Sequence, residues 1–215
     1  MVFTGDEFAD GAQPIINTLQ KAEIKASFFL TGNFYANPAF APAIKKLKLQ
    51  GHYLGAHSDK HLLYNDWQNR DSLLVTKEEF TKDLLANYAK MKAFGIEKKE
   101  ALYFLPPYEW YNRAIAGWTD EMGLTLVNFT PGTLSHADYT TPDAKNYRSS
   151  AVIFDNIIAY ENANKMNGFI LLSHIGSNPQ RTDKFYTYLP KLITYLKNKG
   201  YRFVKIDELL REAGK

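Results

Sequence analysis

Two histidines four residues apart are the clearest chemical signal in the sequence, in the segment His57-Ser-Asp-Lys-His61. If the segment forms a helical turn, both rings lie on one face, where a single metal ion can bind them. Two imidazoles and a carboxylate are a common open metal site, which leaves positions for water and substrate. The alternative is that two surface histidines share a turn by chance.

Carboxylates cluster near the N-terminus, where Asp6, Glu7 and Asp10 directly follow the strand-like segment Met1–Thr4. Because Asp and Gly are common in turns, a solvated turn is the structural alternative. The functional interpretation needs one carboxylate on a metal ion and another free as general base. Such a base takes the proton of a water molecule that attacks a carbonyl carbon.

His174 ends a strongly apolar segment, Gly168-Phe-Ile-Leu-Leu-Ser-His174. It is either a hydrogen-bonded core residue or a general acid that protonates a leaving amine or alcohol. Arg181 and Asp183 follow closely and are candidates for orienting its ring, with a surface ion pair as the alternative.

A run of aromatic and polar residues follows another predicted strand and is a candidate lining of a sugar groove. Sugar rings present flat C–H faces that pack on aromatic rings. The alternative is that the aromatic residues only seat the next helix, while His136 is expected at the surface. The candidate lining residues are Pro107, Tyr108, Glu109 and Trp110.

The elements that must position these residues alternate between strands and helices. We predict strands at 1–4, 25–31, 53–56, 101–105, 124–128, 168–174 and 201–205. We predict helices at 14–22, 38–50, 76–94, 112–122, 147–164, 185–199 and 206–212. The strands are continuous apolar runs, which is typical of parallel sheets covered on both faces. The pattern favours one α/β barrel, or a distorted relative, whose reactive side chains collect at the C-terminal strand ends.

Composition excludes several classes of function. The 215 residues include no cysteine, which excludes disulfides, thiolate nucleophiles and cysteine-based zinc sites. The net charge of +3 is too small to indicate nucleic acid or an anionic membrane as partner. No apolar run is long enough to span a membrane. The chain starts within a predicted strand and shows no signal peptide, which fits a cytoplasmic protein or a trimmed exported one.

Five segments, in this order and spacing, resemble the motifs of the polysaccharide deacetylases of the NodB-homology type, carbohydrate esterase family 4. The resemblance covers essentially residues 1–215 as one catalytic domain, and the third segment is its most specific part. The segments are Thr4-Gly-Asp-Glu7, Lys25-Ala-Ser-Phe-Phe-Leu-Thr-Gly32, Gly51-His-Tyr-Leu-Gly-Ala-His-Ser-Asp-Lys-His61, Phe104-Leu-Pro-Pro-Tyr108 and Gly168-Phe-Ile-Leu-Leu-Ser-His174.

The resemblance implies a distorted (β/α) barrel of about seven strands. It implies a hydrolase that removes N- or O-linked acetyl groups from a carbohydrate with the help of one divalent metal ion. That ion is usually zinc in the family, with cobalt or nickel also seen. The resemblance also points to an exported protein, periplasmic or extracellular, although a cytoplasmic location fits the sequence as well.

The resemblance also implies residue roles. Glu7, His57 and His61 would bind the metal ion. Asp6 would act as general base and His174 as general acid. The backbone N–H of Tyr108 would help to hold the oxyanion.

Two departures from the family pattern concern the carboxylates. Asp10-Gly11 is a second match to the Asp-Gly pair of the family, so Asp10 is an alternative to Glu7 as metal ligand. We prefer Glu7 because it keeps the strand register. Leu105 stands where the family has an arginine that orients the base. Either another arginine replaces that charge, with Arg70 and Arg181 as candidates, or the base is held differently.

A third departure concerns the substrate. The family motif that usually carries Trp and Asp is replaced by Val127-Asn-Phe-Thr-Pro-Gly-Thr133, which predicts an unusual substrate. Two other functions therefore stay open. One is a metal-dependent amidase acting on a small amide or cyclic imide, and the other is a catalytically inactive carbohydrate-binding domain.

Overall fold

The computed structural model describes the backbone of residues 1–213 and the side chains of residues 1–211. Within those residues the strands are β1 (Val2–Gly5), β2 (Ser27–Leu30), β3 (Tyr53–Ala56), β4 (Tyr103–Phe104), β5 (Thr125–Leu126) and β6 (Leu172–His174). The helices are α1 (Ala12–Lys21), α2 (Gly32–Ala36), α3 (Ala41–Leu49), α4 (Lys77–Ala93), α5 (Arg113–Glu121), α6 (Ser150–Asn164), α7 (Leu189–Asn198) and α8 (Ile206–Ala213). None of the described helices is long and apolar enough to cross a bilayer.

The six strands form one parallel sheet in the order β5-β4-β3-β2-β1-β6. Parallel neighbours need crossover connections, and helices fill most of them. The α/β fold is therefore confirmed, with six of the predicted strands in the sheet. In register, Gly5 lies opposite Leu30, Leu30 opposite Ala56, and Thr4 opposite His174. The carboxyl ends of four strands therefore meet at one edge.

The seventh predicted strand, 201–205, pairs with no other strand among the described residues. Its first N–H, that of Tyr201, donates to Leu196 O at the end of α7. The Tyr201 hydroxyl accepts a hydrogen bond from Met166 N–H, and Ile206 N–H donates to the Ser27 side chain. Side-chain and helix-end contacts thus replace the ladder that the apolar pattern predicted.

Burial on both faces explains why the strands are continuous apolar runs. On one face Phe3 of β1 and Phe28 of β2 stack with ring centroids 5.0 Å apart. On the other, Phe29 of β2 packs against Tyr53 of β3 at 5.8 Å. Helix α1 covers the first face with buried isoleucine and leucine side chains.

The predicted helix 38–50 is interrupted, and helix α2 was not predicted. Thr31 caps α2 by accepting from Phe34 N–H. Asn37 then caps a short 3₁₀ turn, Pro38–Phe40, and α3 begins at Ala41. Because Asn and Pro both favour helix starts, they divide the segment here. The predicted helix 185–199 likewise opens with a 3₁₀ turn, Phe185–Tyr188.

The capping box predicted for α4 is confirmed. Thr76 Oγ1 accepts from Glu79 N–H, and the Glu79 carboxylate accepts from Thr76 N–H at 2.7 Å. The pair satisfies backbone donors that would otherwise have no partner in the helix.

Replacing Thr76 with Ala should lower the free energy of unfolding by about 1 kcal/mol, because the cap of α4 is lost. Urea denaturation monitored by circular dichroism measures the change. Lys82→Ala, at an exposed position of the same helix, is the control and should stay within about 0.5 kcal/mol of the wild type. Equal stabilities for wild type and Thr76→Ala would contradict the capping role.

Candidate functional site

A cavity of 710 Å³ opens where the carboxyl ends of the strands meet. It brings together side chains that are far apart in the sequence. Its lining includes Asp6, Glu7, His57, His61, Trp67, Tyr108, Glu109, His136, Tyr139 and His174. A smaller cavity of 310 Å³ lies away from these side chains, against Met1, Met166 and Leu209.

The two histidines of the third motif lie side by side, with ring centroids 5.1 Å apart. They do not share a helical turn, which corrects our expectation from their spacing. The segment after β3 is a loop in which Ser58 (φ 72°) and His61 (φ 54°) adopt left-handed conformations. The loop geometry, rather than helical periodicity, brings the rings together.

Helix α4 holds this loop through two polar residues one turn apart. The Asp83 carboxylate accepts from Ser58 Oγ (2.7 Å), Asp59 N–H (2.9 Å) and Lys60 N–H (3.0 Å). Asn87 Oδ1 accepts from the His57 N–H at 2.9 Å. Buried backbone donors need such acceptors, so α4 fixes the path of the loop that carries both rings.

A hydrogen bond to the backbone sets the tautomer of His57. Its Nδ1 lies 2.7 Å from Leu105 O, a carbonyl that can only accept, so Nδ1 carries the proton and Nε2 has a free lone pair. Burial, and then the neighbouring His61, hold the pKa of His57 well below its usual range. Burial also lowers the pKa of His61. Both rings are therefore neutral near neutral pH.

Asp6 is held by two neutral donors. Its Oδ1 accepts from Thr31 Oγ1 at 2.7 Å and from Asn33 Nδ2 at 3.2 Å. The Thr31 oxygen accepts from Phe34 N–H as the cap of α2, which leaves its hydroxyl hydrogen for Asp6.

Neither arginine considered for the missing charge contacts Asp6. Arg70 lies over the Trp110 ring at 4.2 Å and donates to Tyr111 O. Arg181 is buried and donates to Thr140 O and Arg148 O. The carboxylate is held by a hydroxyl and an amide instead of a guanidinium.

The two candidate metal carboxylates differ in their surroundings. Asp10 is engaged with Ser177 N–H at 2.8 Å and with Lys184 Nζ at 2.9 Å. Glu7 is exposed and lines the cavity. Within the described side chains of residues 1–211, no group of three or more Asp, Glu or His residues is arranged so that it could hold a metal ion. The imidazole pair is thus the preassembled part of the predicted site.

The His174 ring is bound by Asp138, a residue that was not among the predicted site residues. Asp138 Oδ1 lies 2.6 Å from His174 Nδ1, and Oδ2 accepts the His174 N–H at 2.9 Å. Burial alone would lower the pKa of His174, but the charge and hydrogen bond of Asp138, together with the charge of Glu109, outweigh it and raise the pKa. The ring is thereby oriented with Nε2 left for another partner.

Arg181 and Asp183, expected to orient the His174 ring, bind the neighbouring loop instead. Asp183 accepts from Ser150 N–H at 2.5 Å and from Tyr147 Oη at 3.2 Å. Together with the Arg181 contacts to the same loop, this anchors the chain between Thr140 and Ser150. Arg181 and Asp183 therefore hold the loop, whereas Asp138 orients the imidazole of His174.

Exposed aromatic rings border the cavity, as the sugar-groove interpretation requires. Trp67 and Tyr108 are 54% and 43% exposed, with ring centroids 5.5 Å apart. Tyr139 is 49% exposed and lies 4.9 Å from the His174 ring. Trp110 is half-buried and packs behind Trp67 at 5.6 Å.

Pro107 and Glu109, also predicted to line the groove, and His136, predicted to lie at the surface, are not simply exposed groove or surface residues. Pro107 is buried. Tyr108 (φ 59°) and Glu109 (φ 54°) are consecutive left-handed residues, at a cost of about 1–2 kcal/mol each. His136, expected at the surface, is half-buried in the cavity wall, 4.7 Å from the Phe129 ring.

Replacing Asp83 with Ala should lower the free energy of unfolding by about 3 kcal/mol, because it leaves two buried donors, Ser58 Oγ and Asp59 N–H, and the part-buried Lys60 N–H without their acceptor. Chemical denaturation measures the loss. Asp120→Ala, an exposed position on α5, is the control and should change stability by less than about 0.5 kcal/mol. If the two variants were equally stable, Asp83 would not be what holds the histidine loop.

Replacing Asp138 with Asn should lower the pKa of His174, because the carboxylate that favours the imidazolium form is removed. The protonated ring would then be lost at lower pH than in the wild type, which an NMR titration of the imidazole resonances measures. Tyr139→Phe keeps both the carboxylate and the ring packing, so its titration should match the wild type. If the titration midpoint of His174 were unchanged in Asp138→Asn, Asp138 would not be the cause of the raised pKa.

Comparisons with known proteins agree with this architecture. A sequence profile of the family "Polysaccharide deacetylase" matches residues 3–127. The chain is 27% identical to a peptidoglycan-N-acetylglucosamine deacetylase of Bacillus cereus over 95% of its own length and 86% of that protein.

Two solved structures share the fold. A family 4 acetyl xylan esterase from Clostridium thermocellum, in complex with a cobalt ion, has a TM-score of 0.75 at 21% identity, covering 99% of this chain and 90% of that one. A family 4 pseudoenzyme from Bacillus anthracis has a TM-score of 0.74 at 18% identity, covering 97% of this chain and 63% of that longer one. The profile match spans more than half of the chain, which therefore belongs to the polysaccharide deacetylase family with NodB homology, carbohydrate esterase family 4.

Proposed function

We propose that this protein is a metal-dependent hydrolase that removes acetyl groups from a carbohydrate. The observation that carries the proposal is the convergence, in one cavity, of Asp6 after β1, the imidazole pair after β3, and His174 at the end of β6. A carboxylate and an imidazole held by different partners are suited to opposite proton transfers.

The residues present fit a divalent cation. Two neutral imidazoles, His57 and His61, offer lone pairs, and the Leu105 carbonyl orients one ring in the way common for metal ligands. Glu7 is the carboxylate that would complete the set, since Asp10 is engaged with Lys184. Such a cation polarises a carbonyl group and lowers the pKa of water. We assign zinc, with cobalt or nickel as alternatives, and the cobalt in the C. thermocellum relative supports a divalent ion.

Proton transfers are assigned to Asp6 and His174. The Thr31 and Asn33 hydrogen bonds both fall on Asp6 Oδ1, so Oδ2 is free to accept the proton of the attacking water. His174 Nδ1 is occupied by Asp138, so Nε2 donates to the leaving amine or alcohol. The raised pKa of His174 keeps that nitrogen protonated at higher pH than an ordinary imidazole.

The backbone N–H of Tyr108 is assigned to the oxyanion. Among the described residues it has no hydrogen-bond acceptor, unlike the N–H of Glu109, which donates to Pro106 O at 3.0 Å. The left-handed conformation of Tyr108 accompanies this free donor at the cavity wall. Preorganised donors of this kind stabilise tetrahedral oxyanions.

We assign an acetylated hexosamine polymer as the substrate class. The exposed Trp67 and Tyr108 rings offer faces for sugar C–H groups. The B. cereus relative, whose name specifies N-acetylglucosamine, supports an N-linked acetyl group. Such polymers lie outside the cytoplasm, so we also propose that the protein is exported.

A carbohydrate-binding protein without activity is the second candidate. One observation favours it: the described residues contain no preassembled group of three metal ligands. The B. anthracis pseudoenzyme shares the fold, so the fold is compatible with loss of activity. Sugar binding without acetate release would identify this case.

Acetate release from an N-acetylglucosamine tetramer tests the proposal. Wild type should release acetate, lose that activity after chelation and dialysis, and regain it with zinc. Glu7→Gln should weaken zinc binding, measured by calorimetry, whereas Asp10→Asn should not. Asp6→Asn should bind zinc normally and lose activity by at least about a hundredfold.

Three results would contradict the proposal. Activity that survives chelation would exclude the metal. Hydrolysis of small amides or cyclic imides, with the tetramer untouched, would favour the amidase. If Glu7→Gln bound zinc normally and Asp10→Asn lost zinc binding, Asp10 rather than Glu7 would be the metal ligand.

A further inference from the structure

Glu109 is held in a strained conformation at the wall of the catalytic cavity. Its φ of 54° follows directly on the φ of 59° at Tyr108, a region that favours glycine over residues with a side chain. Two such residues in succession persist only where their surroundings fix them, and strain of this kind is concentrated at ligand-binding sites.

The backbone of Glu109 is fixed from both sides. Its N–H donates to Pro106 O at 3.0 Å, within the same turn. Its carbonyl accepts from Asn128 Nδ2 at 2.8 Å, from the segment that follows β5. The backbone from which the side chain enters the cavity wall is therefore held by the segments that follow β4 and β5.

The fold makes no use of the Glu109 carboxyl group. Among residues 1–211, no side chain or backbone group forms a hydrogen bond or ion pair with it. It is half-buried, and burial raises the pKa of Glu109 to about 7, with His174 opposing and Asp138 adding to the shift. A carboxyl group withdrawn from water without a partner destabilises the folded protein. The group is therefore available to a ligand.

We propose that Glu109 accepts a hydrogen bond from a hydroxyl group of the sugar that carries the acetyl group, and so selects the carbohydrate. This rests on the proposed function and adds a specificity-determining residue to it. Apart from the N–H of an acetamido group, the donors that such a sugar offers are its hydroxyl groups. Exposed aromatic rings, Trp67 and Tyr108, line the same cavity, and a pocket with aromatic faces and a free acceptor suits a sugar ring.

The chain contains a matched control for the strain. Glu23 has the same residue type and nearly the same φ, 55°, and it is exposed after α1, outside the cavity lining. Glu23→Gly and Glu109→Gly should both relieve a left-handed conformation. Each should raise Tm by roughly 2–4 °C if about 1 kcal/mol is recovered.

Sugar affinity separates the two variants. Calorimetry with the N-acetylglucosamine tetramer should give the Kd of the wild type for Glu23→Gly and a Kd at least about tenfold higher for Glu109→Gly. Glu109→Gln retains one oxygen acceptor, so its Kd should lie between them. Because binding is measured directly, the result does not depend on acetate release.

Deoxy sugars identify the hydroxyl group. We compare a series of tetramers that each lack one hydroxyl group on the acetylated unit with the parent tetramer. For the wild type, one member of the series should bind at least about tenfold more weakly than the parent. For Glu109→Gly, the same member should bind no more weakly than the parent. Three outcomes would overturn the proposal. Glu109→Gly could have the Kd of the wild type, each deoxy tetramer could lose the same affinity for wild type and for Glu109→Gly, or the wild type could fail to bind the tetramer. If acetate release fails while the affinity pattern holds, the proposed function falls and the binding role of Glu109 stands.

Discussion

The parallel direction of all six strands is the constraint on which the site depends. Because every strand runs the same way, residues that follow β1, β3, β4 and β6 emerge at one edge. Helices and loops cover the rest of the sheet. Side chains from different segments therefore meet at the carboxyl ends of the strands. A single antiparallel strand among these would move its terminal residues to the opposite edge and disperse the cavity.

Positioning within the cavity comes from a second layer of contacts. Helix α4 fixes the histidine loop through Asp83 and Asn87, and the α2 cap residue Thr31 turns its hydroxyl group toward Asp6. Asp138 binds both the ring and the backbone of His174. Each candidate catalytic group is therefore oriented by an element that also stabilises the fold, which couples the geometry of the site to overall stability.

Much of this was predictable from the sequence because apolar runs mark strands and polar residues mark strand ends. The meeting of Asp6, His57, His61 and His174 follows from that rule. The helical turn expected for the histidine pair was wrong, because left-handed residues such as Ser58 are not signalled by residue type. Asp138 was missed as the partner of His174 because it lies 36 residues away in a short 3₁₀ turn, Ser135–Tyr139, and no periodicity links the two residues.

We propose above all that the histidine pair and a carboxylate from the N-terminal segment hold one cation in this cavity. Anomalous diffraction from zinc-loaded crystals tests it most directly. We expect a single strong peak about 2.0–2.2 Å from an imidazole nitrogen of both His57 and His61 and from a Glu7 oxygen. A zinc ion bound elsewhere, or a cavity that binds no zinc at saturating concentration, would contradict it.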